Sequence, residues 1–342
     1  MALLDLLLTK GEHALAKAFA PATTFGAPSL AFSLVLAATF LYVRHRRRRG
    51  RASWALVLRA LAAKRVFLSR STLADVGYLL FNTTMLGFVI GWGLCSGALV
   101  ERYVERSLND GLGINAAVAP NFWPCAFVTL ALYLTYEFAY WFDHYLKHNV
   151  PFLWETHKTH HMAEVLTPIT QFRVHPLDTL VFANVLALCE GSVGGLLGHV
   201  FGGSVPVFAV DGKNVALVVF VFTTQHLQHS EIWIPFRGWL GRVFISPAHH
   251  QLHHSTDPAH FNANLGASLA LFDWLFGTLS VPGERPAKLS FGVEGEGVDP
   301  QALHTLTVRP FVRTAGALRE ALWPERDGAR DRISAVTTPN GN

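Results

Sequence analysis

"EFAYWFDHYLKHNVPFLWETHKTHH", residues 137–161, is the end of an apolar run followed at once by a crowd of imidazoles. The run itself, 122–142, has about the length that crosses a bilayer. Beyond it stand His144, His148, His157, His160 and His161, five histidines in eighteen residues, about five times the density given by 17 in 342. A second crowd follows in "HLQHS" (226–230) and "HHQLHH" (249–254). The question is what a greasy chain does with so many imidazoles at the end of a span.

The rest of the composition favours a membrane class. The chain is 51% hydrophobic and only 15% charged, against roughly a quarter charged in soluble domains. Residues 1–20 read as an amphipathic interfacial helix, without the basic start and cleavage site of a signal peptide. An apolar span over 24–43 comes next, then "RHRRRRGR" (44–51), with six arginines and no acidic residue between 41 and 74. A basic run directly after a span marks the cytoplasmic side, and residues 52–70 read as a basic amphipathic helix on that surface. A second span is expected over 76–100, and a mixed-charge loop over 101–120 on the far side. The span over 122–142 then returns the histidines to the arginine side. Two further apolar stretches, 180–203 and 205–224, the latter interrupted by "DGK" (211–213), read as a hairpin, re-entrant or spanning. The tail from 324 reads as polar and disordered.

The expected fold is therefore all-α: a polytopic membrane helical bundle with a cytosolic helical cap carrying a histidine-rich metal site. Its expected divisions are an N-terminal part at 1–74, a membrane domain at 75–283 and a C-terminal cytosolic tail at 284–342. No aromatic–basic interleaving of the kind that grips bases is present, so nucleic acid is not an expected partner.

The histidine spacings fit ligation from helices. His144 and His148 are i, i+4; His157, His160 and His161 are i, i+3, i+4; His250, His253 and His254 repeat that pattern. Neutral imidazole is a good metal ligand, whereas clustered imidazolium ions repel one another. Eight such residues exceed one tetrahedral zinc site, and neither HExxH nor Glu-x-x-His occurs. A two-metal, nearly all-histidine site favours a redox-active first-row metal, iron first.

On these motifs the chain resembles the fatty acid hydroxylase and sterol desaturase superfamily of integral-membrane di-iron enzymes, especially its alkylglycerol monooxygenase-like bacterial branch. The boxes at 144–161, "FRVHP" (172–176) and the stretch from "QHSEIW" (228–233) to "FDWLFGTL" (272–279) carry the resemblance. The chain departs from the family pattern at Glu137, Tyr145, Leu265, Phe272 and Trp274. The resemblance implies two iron ions ligated by the eight box histidines, with O2 as co-substrate and a bacterial inner-membrane location with the boxes cytosolic. It also implies His229 as a ninth ligand. His226 is a tenth candidate, though Gln225 is equally in helical register with His229. Glu137, seven residues before His144 inside an apolar span, is expected to hydrogen-bond a ligand histidine. His175 is expected to support the ligands, Asn264 and Asp273 to orient loops or ligands, and His249 and His260 to be bystanders.

The implied reaction is oxidation of a membrane lipid C–H bond, hydroxylation first. Desaturation by the same site is the rival, and a non-catalytic metal- or haem-binding membrane protein is the rival of another class. No flavin, ferredoxin or cytochrome b5-like motif is recognisable in the sequence. Electrons are therefore expected from a separate ferredoxin, cytochrome b5-like protein or reductase.

Overall fold

A computed structural model of the chain describes residues 21, 23, 24, 26–93, 95–285, 289–293 and 299–323, with backbone alone over 83–93. The expected helix at 1–20 and the expected disorder from 324 lie outside these residues. The architecture is helical, as the periodicity requires. Among the described residues, three helices are long and apolar enough to span a membrane: α1 (Ala27–Arg49), α6 (Phe122–Asn149) and α8 (Pro176–Phe201). Their apolar side chains point outward, as with Leu34 and Val35 on α1, Phe127 and Leu130 on α6, and Leu188 and Val200 on α8. Polar groups fill much of the interior instead, the reverse of a soluble core and the arrangement a lipid surround favours.

Several expected elements have different bounds. The basic surface helix is two short pieces, α2 (Trp54–Leu61) and α3 (Lys64–Phe67). The predicted span over 76–100 is not one helix. Instead α4 (Arg70–Gly93) stops, and α5 (Gly97–Leu112) begins where a loop was expected. This second helix lies along the distal half of α8, and a Cβ at Gly195 would collide with the Glu101 carbonyl and Val104. Apolar character alone did not reveal that break. The 205–224 stretch is not a span either. Asp211 and Gly212, both at positive φ, turn a two-stranded hairpin between β1 (Ala209–Val210) and β2 (Lys213–Asn214), as Asp-Gly favours. Only α9 (Val215–Gln228) is helical, with a π-helical segment at Val221–Gln225.

α6 and α8 run antiparallel. Phe127 meets Phe201 at the far end, and Lys147 meets Asp178 at the histidine end. α6 closes at Val150, held extended (φ −105°, ψ 114°) by the following proline. Pro151 then opens α7 (Pro151–His161), and this corner folds the second histidine box back over the first. Three short helices complete the cap: α10 (Trp239–Val243), α11 (Pro247–His253) and α12 (Leu271–Phe276). Within the expected tail, α13 (Leu303–Thr307) and α14 (Arg309–Leu322) pack back on the body. The Tyr78 hydroxyl donates to the Leu306 carbonyl at 3.2 Å, and Arg173 donates to Gln301 at 2.7 Å. Residues 299–323 are thus built into the cap.

Candidate metal centre

The box histidines end their helices beside one another and sort into two groups. His144, His148, His157, His161 and His253 form one; His160, His229, His250 and His254 form the other. Within each group one nitrogen per ring lies within 4.8 Å of all the others. The sorting follows from helix geometry. At about 100° per residue, positions i and i+4 lie ~40° apart, whereas i+3 and i+4 diverge by ~100°. His157 and His161 therefore share a group, and His160 points to the other. On α11 the same rule sends His250 and His254 one way and His253 the other. The groups abut, with the rings of His161 and His254 stacked at 4.5 Å.

Proton bookkeeping tests whether a metal fits. In the first group the Nδ1–H of His144 donates to the Leu265 carbonyl (2.8 Å), that of His157 to Asp178 (2.7 Å) and that of His253 to the Ala263 carbonyl (2.9 Å). This fixes the tautomer and leaves a lone pair on each Nε2. The Nε2 atoms of His144, His148, His157, His161 and His253 are all buried and without a hydrogen-bond partner among the described residues. In the second group successive Nε2 atoms approach to 3.1, 2.9 and 3.1 Å along His160–His229–His250–His254. A protonated Nε2 has no lone pair to accept with, so this chain cannot be a run of ordinary hydrogen bonds. Cis ligands at a metal–nitrogen distance of ~2.1 Å lie about 3.0 Å apart, which these separations match. Burial, before the neighbouring imidazoles, pushes His160, His161, His250 and His254 well below their ordinary pKa. It brings His229 and His253 down to about 3. The rings are thus kept neutral and ligand-competent. Both groups fit metal ions.

A loop at 263–270 holds the centre from one side. Asp273 accepts from the amides of Leu265 and Gly266, each at 2.8 Å, and burial raises its pKa to about 6. Asn264, at φ 58°, donates to the carbonyls of His249 and Ser280. The expected loop-orienting role of Asp273 and Asn264 is what their contacts perform. Glu137 differs from expectation, because it bonds no histidine. Its carboxylate accepts from the amides of Ser268 (3.1 Å) and Leu269 (2.9 Å) and from the Ser268 hydroxyl. It therefore acts on His144 only through the loop whose Leu265 carbonyl receives that ring.

His226 is a correction. Its Nε2 lies 3.4 Å from the Ser29 hydroxyl and its Nδ1 3.2 Å from the Gln171 amide, outside both groups. The expected register between His226 and His229 assumed a continuing helix. α9 ends at Gln228, and His229 leaves helical geometry at φ −93°, ψ 71°. Gln225 sits in the π-helical segment. His175 caps α8, accepting from the Leu177 amide, and its other nitrogen lies 3.1 Å from the Thr307 carbonyl. His249 forms a capping box with Ser246, and His260 lies against Ser255.

Sequence reasoning overlooked Asp178 and Lys147. The Lys147 ammonium donates to Asp178 (2.6 Å) and Asp143 (2.5 Å), and all three side chains are buried. The only advance signal was charge at the edge of apolar helices: Asp178 in the first turn of α8, and Lys147 between two box histidines.

Fold and site together define a helical protein with membrane-length spans and a paired histidine centre at one end. Residues 129–278 match the fatty acid hydroxylase family. With the relatives below, this makes the chain similar to members of the fatty acid hydroxylase and sterol desaturase superfamily. It is similar to the ornithine lipid hydroxylase OlsE of Rhizobium tropici, 30% identical over 178 residues, 52% of this chain and 49% of that protein. It is also similar to alkylglycerol monooxygenase of Xenopus tropicalis, at 26% over 46% of this chain and 31% of that one. A putative Delta(7)-sterol-C5(6)-desaturase 2 of Arabidopsis thaliana is 28% identical over 47% and 51%. The chain thus spans about half the length of these relatives or less. No solved structure matches it.

Proposed function

We propose that this chain is a membrane-bound, iron-dependent oxidoreductase that uses O2 to hydroxylate a lipid C–H bond, drawing electrons from a separate protein. The observation that carries this reading is the convergence of nine histidines, eight buried and His148 half-buried, into two groups at one end of apolar spans. The proposed ligands are His144, His148, His157, His161 and His253 for one ion, and His160, His229, His250 and His254 for the other. Two iron ions would supply O2 activation, which an unactivated C–H bond requires because acid–base groups cannot attack it. Two six-coordinate ions offer about twelve positions, so nine nitrogens leave about three for exogenous ligands.

The chain's own residues hold and shield the site. Asp178 and the carbonyls of Ala263 and Leu265 keep the ligand tautomers fixed. Burial excludes water. On the membrane side Tyr140 packs edge-on against His144 (5.7 Å), and Phe182 packs on Tyr140 (5.7 Å) and Tyr136 (6.5 Å). An acyl or sterol tail approaching between α6 and α8 would meet this aromatic wall and be led to the histidines. Residues 75–283 form the catalytic membrane domain in this reading, with 1–74 before it and 284–342 after it.

Membranes holding the protein and a reductase are expected to add one oxygen atom to a lipid, labelled when the gas is isotopic O2. His160→Ala should abolish the product. Label arriving from water, once exchange is excluded, would rule out oxygen transfer from O2. Desaturation is the second reading, favoured by the resemblance to the putative sterol desaturase. A product two hydrogens lighter, with no oxygen gained, would establish it.

In this reading the histidine end is cytosolic and the membrane is the bacterial inner membrane, with the arginine run after α1 supporting the cytosolic side. Arg46 lies at the end of α1 toward the cap, and Asp110 lies beside the far end of α8. Single cysteines at these positions, in a background free of other cysteines, are expected to label from opposite faces. Labelling of both from one face would overturn the orientation.

A further inference from the structure

We propose that a cavity at the C-terminal end of α1 binds the phosphate headgroup of an anionic membrane lipid. The cavity encloses about 770 Å3, within the roughly 300–1,000 Å3 usual for small-ligand sites. Arg44, Arg47 and Arg48 line it from one face of α1, at positions i, i+3 and i+4, opposite Arg237 and Arg285. One carboxylate, Glu284, shares the cavity, and it pairs with Arg237 at 3.3 Å. Four guanidinium groups are left facing one space without a carboxylate partner among the described residues. Such crowding is unfavourable until an anion enters, and guanidinium forks match phosphate oxygens two at a time.

A second observation points the same way. Trp233 lines the cavity, is 3% exposed, and its Nε1–H has no hydrogen-bond partner among the described residues. A buried orphan donor beside a cationic wall adds one more unmet demand for an acceptor. Arg44 meanwhile donates to the Trp233 carbonyl at 3.4 Å, which ties the helix to this wall.

The ligand is a lipid because of where the cavity sits. Phe40 and Val43 line it on the same face of α1, immediately before the arginines. The apolar, outward-facing part of this membrane-length helix ends there. An amphiphile lying along α1 places its chains on the apolar face and its phosphate among the arginines. A free phosphate would leave the apolar wall unused. The cavity is separate from the histidine groups. Trp233 packs on Ala248 and Leu252, on the face of α11 turned away from His250 and His254.

The test is native mass spectrometry of the purified full chain in detergent. It is titrated with phosphatidylglycerol, phosphatidylcholine of the same acyl chains, and inorganic phosphate. Phosphatidylglycerol is expected to bind at least about tenfold more tightly than phosphatidylcholine. The double variant Arg47→Gln/Arg285→Gln should remove most of that preference, and Trp233→Phe should weaken binding about threefold or more. Arg46→Gln/Arg49→Gln removes the same charge from the same run but outside the cavity, and should change binding less than about threefold. Equal loss in this control would reduce the effect to general electrostatics and overturn the site. Equal binding of both lipids would overturn the lipid assignment and leave the cavity to an acidic protein. Inorganic phosphate binding as tightly as phosphatidylglycerol would assign it to a free anion.

Discussion

Replacing His161 or His250 with alanine is expected to lower bound iron from about two per chain to about one or fewer. Turnover should fall at least about 100-fold, since even residues that only support a ligand cost 10- to 100-fold. Each variant removes one imidazole from a different group, His161 from the five-histidine set and His250 from the four-histidine set. His249→Ala is the informative contrast. His249 is as buried as His250 and adjacent to it, yet its Nδ1 meets Ser246 and its Nε2 lies 3.0 Å from the Gly241 carbonyl. Its loss should reduce stability by about 1–2 kcal/mol through the helix cap while iron stays bound. Elemental analysis of protein purified without oxygen decides the matter. Stoichiometric zinc with no iron after iron-replete expression, or equal metal loss in all three variants, would defeat the assignment.

Asp178→Asn is expected to have the next largest effect. One oxygen of Asp178 accepts from His157 and the other from Lys147, and all three side chains are buried. An asparagine offers one acceptor and turns an NH2 group toward either the His157 N–H or the Lys147 ammonium. Both contacts are donor against donor. Breaking a buried pair in this way costs about 3–5 kcal/mol, and a misoriented His157 should weaken iron binding about 10- to 100-fold. A fall in melting temperature of the solubilised protein, together with lower iron occupancy, is the expected result. Glu231→Gln supplies the control. Glu231 is close in sequence to His229, but its pair with Arg65 is solvent-exposed, so its loss should cost about 0–1 kcal/mol. If Asp178→Asn behaves like Glu231→Gln, the anchor at His157 is not needed.

These two experiments separate what was visible along the chain from what was not. The clustering of the eight box histidines was legible because residues sharing a helical face leave a regular spacing, and their position after apolar runs was legible from composition. Asp178 was not, because a single carboxylate at position N3 of a helix is also an ordinary first-turn acid. Lys147 was not legible either, since nothing local says that two carboxylates close over it. Glu137 was singled out for its burial in a span, but its partners lie more than 130 residues away at Ser268 and Leu269. Only the folded chain could identify them.

The sequence by itself determined the helical class, the apolar spans at α1, α6 and α8 and the residue types at the centre, because periodicity and spacing act within one or two turns of helix. The tertiary structure decided which histidine joins which group, because α6, α7 and α11 must cross before one face can meet another. It also set His226 apart from His229. Their spacing predicts a shared face only while the helix continues, and the chain leaves the helix at Gln228. His229 thereby turns to the other imidazoles, while His226 remains between Ser29 and Gln171.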